Sequence, residues 1–183
     1  MSAKSRILDA YEQILRAEGE RAATLEAIAL RAEVSKGGLL YHFRDKKALV
    51  SGLLERLEER AQEDVEQMRA DPEGPCVHYI RSSVYEALPL DRTMAAVTQL
   101  SQESHPEVLR VMKEIHQRWY ELLLEEAGDV GIARAVLLIG DGLYYDAALA
   151  APVQTSPGDL ERVIEVVRRL VAGAGSPPPP AEK

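Results

Sequence analysis

The sequence predicts an all-α fold: three short N-terminal helices, one long connecting helix and a five-helix body. Three observations carry this expectation. Nearly every periodic segment repeats its apolar residues at i, i+3/i+4 and i+7, the spacing of one helix face. No segment alternates apolar and polar residues as a half-buried strand does. Pro89, Pro106, Gly128, Gly131, Pro152 and Pro157 fall between the periodic segments and punctuate them.

Residues 5–17 carry Ile7, Leu8, Tyr11, Ile14 and Leu15 on one stripe, and Gly19 suits the C-terminal cap. Thr24 precedes LEAIALRAEV, where its hydroxyl can accept a free backbone N–H of the first turn; Ser35 can do the same for KGGLLYHF. Asp45 opens a long helix, KKALVSGLLERLEERAQEDVEQMRA, which Asp71-Pro72 ends. Further helices are expected at 76–88, 92–101, 106–127, 132–150 and 158–172. The tail, 173–183, reads GAGSPPPPAEK and is expected to be disordered or polyproline-like. The expected division is therefore a helix-turn-helix head over 1–47, a helical body over 48–172, and that tail.

The net charge of −8 argues against a protein that coats nucleic acid indiscriminately. It is unevenly spread, with net +2 over 1–47 and net −10 over the remainder. Cys76 is the only cysteine, which excludes intrachain disulfides and thiolate-rich zinc sites and points to a cytoplasmic setting. No segment reads as a secretory leader or a membrane span; the longest apolar run, 133–151, is broken by Arg134, Asp141 and Asp146. An enzyme is not expected. His42, His78, His105 and His116 form no metal-binding pair on one helix face, and neither a metal nor another cofactor is anticipated. His105 and His116 read as surface or capping residues.

The segment from Thr24 to Leu49, TLEAIALRAEVSKGGLLYHFRDKKAL, meets the demands of a helix-turn-helix. Leu25 and Ile28 can pack the first helix on the second. Ser35, Lys36, Gly37 and Gly38 keep the leading end of the second helix small and polar, as entry into a major groove requires. Each glycine weakens that helix by roughly 1 kcal/mol relative to Ala, so it is expected either to be constrained by its binding surface or to order fully only on DNA. Lys36 can reach guanine acceptors or a phosphate, while Tyr41, His42 and Lys46 carry donors suited to phosphate oxygens. Phe43, Leu39 and Leu40 are expected to fill the head's core.

With these residues the chain resembles the TetR family of transcriptional regulators. The pattern runs Thr24-Leu-Glu-Ala-Ile28-Ala29, Ala32-Glu-Val34-Ser35-Lys36-Gly37, Leu40-Tyr41-His42-Phe43 and Lys46-Lys-Ala-Leu49. Glu33 stands where many members of the family have a turn glycine. The DNA-facing set expected from motif and resemblance is Thr24, Ser35, Lys36, Gly37, Gly38, Tyr41, His42 and Lys46. The resemblance also implies a homodimer on a near-palindromic double-stranded operator, paired through its last two helices. Two stripes suit that role: Ile132, Val136, Ile139 and Leu143, then Leu160, Val163, Ile164, Val167 and Leu170. The alternative is that both stripes pack internally.

The resemblance further implies a small effector held by the body. Helix 106–127 aligns Met112 and Trp119, and helix 132–150 places Asp141 between Gly140 and Gly142, with Tyr145 one turn on. An unpaired acid in apolar surroundings is costly, so Asp141 faces water, pairs with a donor or offers charge to a ligand. The stretch SHPEVL…HQRWYELL…ARAVLLIGDGLYYDAAL is similar to small multidrug-binding TetR-type repressors, which implies an aromatic or cationic effector. Met112, Trp119 and Tyr145 can supply its flat or adaptable contacts and Asp141 its counter-charge. Trp119 as a core anchor and Asp141 as a hydrogen-bonded structural acid are the competing readings. The expected function is a ligand-released repressor; an activator, or a helical interaction module without operator binding, are the alternatives.

Overall fold

The computed structural model describes residues 2–84, 86–100, 105–148 and 155–173; among these the chain forms nine helices and no strand. They are α1 (Ala3–Glu18), α2 (Leu25–Arg31), α3 (Lys36–His42), α4 (Lys46–Ala70), α5 (Pro75–Ser82), α6 (Pro89–Val97), α7 (Pro106–Ala127), α8 (Val130–Ala148) and α9 (Pro157–Gly173). Short helices, long connector and five-helix body thus follow one another in the expected order. The expected helical positions 101, 149 and 150, Pro152, and 174–183 of the tail lie outside the described residues.

Proline accounts for one of the boundaries that differ from expectation. The helix expected over 76–88 stops at Ser82, and the next begins at Pro89 rather than at Arg92. Proline lacks an N–H and has a preset φ, so it fits the first turn of a helix and disfavours helical backbone in the residue before it. Leu88 is accordingly extended, and its N–H donates to the Asp91 carboxylate at 2.9 Å. Pro89 starts a helix here, where it was expected only to separate two.

The chain forms two compact units, Met1–Gln62 with Ala87–Ile115, and Glu63–Glu86 with His116–Lys183; α4 and α7 contribute to both. In the first unit Ile7, Tyr11, Ile14 and Leu15 of α1 are buried with Ile28, Leu39 and Phe43. Leu49, Val50, Leu53 and Leu57 of α4 complete this core. The Phe43 ring lies so close to Gly52 that a Cβ there would sit 2.7 Å from it. In the second unit α5 packs against both α8 and α9.

A buried ionic joint ties α1, α4 and α6 within the first unit. Glu12 is nearly enclosed, and its Oε1 accepts from Arg56 at 3.0 Å, Arg60 at 3.0 Å and the Thr93 hydroxyl at 3.0 Å. Arg56 also donates to Asp9 at 2.7 Å and to the Ser5 carbonyl at 3.2 Å. Arg60 donates to the Pro89 carbonyl at 2.8 Å and also meets Thr93. Burial holds the Arg60 guanidinium below its ordinary pKa, with Glu12 opposing that effect. Removing one partner of such a joint leaves uncompensated charge in a poorly solvated place. Glu12→Ala is expected to cost roughly 3 kcal/mol, read as a lower urea midpoint at unchanged slope. A loss below about 1 kcal/mol would show that the two arginines find water instead.

Candidate nucleic-acid interface and effector site

The head is built by caps and one left-handed residue. The Thr24 hydroxyl accepts the Ala27 N–H at 3.1 Å and starts α2. The turn then places Glu33 at φ +53°, a conformation glycine adopts freely and other residues rarely. Glu33 thus takes up the glycine-like backbone itself, and the Val34 N–H closes the turn on the Ala29 carbonyl at 3.0 Å. The Ser35 hydroxyl accepts the Gly38 N–H at 3.0 Å and starts α3. Leu39 and Phe43 anchor α3 to the core, and Ile28 and Ala29 do so for α2.

Thr24, Ser35, Lys36, Gly37, Tyr41 and His42 are exposed, and Gly38 and Lys46 are half-buried. Tyr41 is 86% exposed and meets His42 edge-on, with ring centroids 5.2 Å apart. Leu40, expected in the core, is exposed instead. It follows Leu39 by one residue, and the 100° turn this implies carries it off the buried face. Two of the expected cationic contacts are already occupied. Lys36 Nζ lies 2.5 Å from Glu26 Oε1, and this ammonium holds the Glu26 carboxyl below its usual range. Lys46 donates to the Glu20 carbonyl at 3.1 Å, with the Glu20 carboxylate 3.8 Å away. A side chain at Gly37 would find room, since the nearest atom to a Cβ there is Ser35 Oγ at 4.0 Å.

The second unit holds a half-buried cluster of acids, histidines and aromatic rings. Asp141 Oδ1 accepts the Tyr79 hydroxyl at 2.9 Å and lies 2.9 Å from His116 Nε2. The Trp119 indole N–H donates to Asp64 at 2.9 Å, and the Tyr79 and Trp119 rings lie 5.8 Å apart. His116 meets Trp119 edge-on at 5.9 Å. His78 Nδ1 lies 2.8 Å from Asp71, and its Nε2 lies 3.9 Å from Asp64. Asp64, joined by Asp71, holds the His78 imidazolium above its ordinary pKa against the opposing effect of burial. Burial and the neighbouring Asp141 push the Tyr79 phenol well up.

Trp119 and Asp141 are therefore brought into one cluster, and both make the structural contacts weighed as their alternative reading. Gly140 does not make room beside Asp141: a Cβ there would lie 2.3 Å from the Tyr79 ring and 2.7 Å from Ser83 Oγ. Gly142 faces open space. Tyr145 is 64% exposed, and Met112 belongs to the first unit. Sequence reading missed Asp64, His78, Tyr79 and His116 as members of this cluster. They come from three helices, α4, α5 and α7, whose spacing carries no shared signal.

The expected pairing stripes differ in exposure along their length. Val136, Ile164 and Val167 are fully enclosed within the protomer. Ile132, Ile139, Leu143, Leu160 and Val163 are half-buried, and Leu170 is exposed. The apolar groups that α8 and α9 leave bare are Val130, Leu138, Tyr145, Val166 and Leu170. Both helices are apolar on more than one face, and both pack against α5.

Two short helices joined by a tight turn, in a chain whose described residues form helices and no strand, define the class, a helix-turn-helix protein. Residues 7–53 match the family described as bacterial regulatory proteins, tetR family, and residues 76–172 match the tetracyclin repressor-like C-terminal domain. The chain belongs to the tetR family. It is 26% identical over 132 residues to the HTH-type transcriptional regulator UidR of Escherichia coli, covering 69% of this chain. That match spans 65% of UidR, somewhat under two thirds of its length. Among solved structures the fold is similar to NalD, the secondary repressor of the MexAB-OprM multidrug efflux pump in Pseudomonas aeruginosa. That similarity has a TM-score of 0.67 and 20% identity, over 92% of this chain and 94% of NalD. It is also similar to the multidrug binding protein EbrR complexed with malachite green, with a TM-score of 0.69 and 23% identity. This match covers 91% of the chain and 96% of EbrR.

Two outcomes follow from the geometry. Gly37→Ala should stabilise the free protein by up to about 1 kcal/mol, because internal packing leaves the space open and Ala favours helix. Unchanged or lower stability on urea unfolding would mean that the protein's own packing demands glycine. His78 should contribute stability that is full below the ordinary histidine pKa and is lost as pH rises through its raised folded value. The urea midpoint of the wild type should fall across that alkaline-side window. His78→Gln should lack this drop, and an identical pH profile in the variant would remove the assignment.

Proposed function

We propose that this chain is a tetR-type transcriptional regulator. It acts as a repressor that binds a near-palindromic double-stranded operator as a homodimer and is released by a small aromatic or cationic effector. The observation that carries this reading is the tip of α3, where Ser35, Lys36 and Gly37 lie exposed behind a turn held by Glu33. A groove-entering helix needs such a tip. Thr24, Ser35, Lys36, Gly37, Gly38, Tyr41, His42 and Lys46 form the DNA-facing set, with 1–47 as the reading domain and 48–172 as the control domain. Lys36 and Lys46 exchange Glu26 and Glu20 for the duplex.

Dimerisation uses the bare faces of α8 and α9, with Leu138, Tyr145, Val166 and Leu170 at their centre, flanked by the half-buried members of the two stripes. Four helices, two from each copy, then close a shared apolar seam. The effector occupies the surroundings of Trp119 and Asp141, where two carboxylates and two aromatic rings suit a flat cation. The multidrug associations of NalD and EbrR support this class of ligand and the repressor role. Asp64 lies on α4, the helix that also carries Arg56 and Arg60 of the ionic joint, so a ligand that re-partners Asp64 acts on the element holding the head. No helix among the described residues is long and apolar enough to cross a membrane, and a cytoplasmic location accords with this role.

Gel shift with the DNA upstream of its own gene tests the reading. Lys36→Ala and Tyr41→Ala should each weaken operator binding about tenfold or more while leaving the dimer intact in sedimentation. Malachite green, titrated calorimetrically, should bind and release the operator; Asp141→Asn should bind it less tightly. Absence of any sequence-preferring DNA complex, in upstream DNA or in selection from random duplexes, would defeat the proposal.

A further inference from the structure

We infer that Leu40 reads a thymine methyl group in the operator, and that this apolar contact supplies sequence preference at the centre of α3. The inference rests on the DNA-binding role proposed above and goes beyond it to the chemistry of recognition. Leu39 and Phe43, one turn apart, define the buried side of α3. On the remaining surface Gly37 sits with Leu40 three residues on and Tyr41 four residues on. Helical side chains lean toward the N-terminus, so both flank the patch beside Gly37. That patch is open, for the nearest atom to a Cβ at Gly37 is Ser35 Oγ at 4.0 Å. The result is a slot with a backbone floor, an aliphatic wall 38% exposed and an aromatic wall 86% exposed.

The hydrogen-bonding side chains around this slot are few. Gly37 and Gly38 have none, and the Lys36 ammonium is held 2.5 Å from Glu26. His42 lies one residue beyond Tyr41, toward the C-terminal end of the helix. Bases bearing amino or carbonyl groups gain little from an aliphatic wall. Thymine alone presents a methyl group to the major groove, and apolar side chains recognise it there. An exposed leucine on a reading helix is thereby explained by its target rather than by its core.

The test uses the full-length protein and its footprinted operator, in which single thymines of each half-site are replaced by deoxyuridine, removing only the 5-methyl group. For one thymine per half-site, wild-type affinity should fall about fourfold per methyl removed, the amount one buried methyl group supplies. Leu40→Ala, which alters a partly exposed position, should still fold, with a modestly lower thermal stability, and bind the thymine operator several-fold less tightly. It should also be indifferent to the same uridine substitution, closing a double-mutant cycle. Wild-type binding that tolerates every uridine, or a Leu40→Ala protein that keeps the full uridine penalty, would overturn the inference while leaving DNA binding in place. Failure to bind any duplex would instead overturn the functional reading itself, and this inference with it.

Discussion

The enclosed carboxylate of Glu12 is the constraint on which the head's placement depends. Apolar burial holds α1 against α4 without choosing one angle, because hydrophobic attraction is not directional. Hydrogen bonds from Arg56, Arg60 and Thr93 to one oxygen are directional, and they fix α1, α4 and α6 at a single mutual setting. A buried ionic joint of this kind adds little net stability compared with well-packed apolar residues. What it supplies is a preferred geometry. In the proposed function that geometry sets where α3 points, and any displacement of α4 or α6 strains bonds that terminate on α1.

The second unit shows the same trade between polarity and position. Gly140 admits the Tyr79 ring to the backbone of α8, and the phenol then reaches Asp141 on the same helix. Trp119 and Tyr79 form a tilted aromatic pair, yet each spends its single polar hydrogen on a different carboxylate, Asp64 and Asp141. The two acids are thus satisfied largely by neutral donors and by histidines. Their negative charge is shared rather than cancelled by a lysine or arginine in the contacts described.

Much of the fold was legible because helices carry their own evidence. The α1 stripe, both caps of the reading head and the length of α4 follow from periodicity and from single residues such as Thr24, Ser35 and Asp71-Pro72. Boundaries failed where one residue serves two roles, as Pro89 does. Leu40 was misplaced because two adjacent leucines look equally apolar in a sequence, while a helix separates them by 100°. On α9 the periodicity of Ile164 and Val167 identified a buried face correctly but could not say what covered it. The joint at Glu12 was invisible for another reason. Its members come from positions 12, 56, 60 and 93, and a long-range ionic contact leaves no local pattern.

The lysine–glutamate pairs at the reading head bear on discrimination. Every duplex offers phosphates, so a free ammonium is drawn to all of them alike, and condensed counterions are released at each such contact. In the proposed function Lys36 and Lys46 must first abandon Glu26 and Glu20, and Glu26 then faces a polyanion without its lysine. This damps the indiscriminate component of attraction and flattens its dependence on ionic strength. Only a site that repays the exchange through its bases retains the protein, so an acidic chain can search a genome without being trapped by the bulk of it.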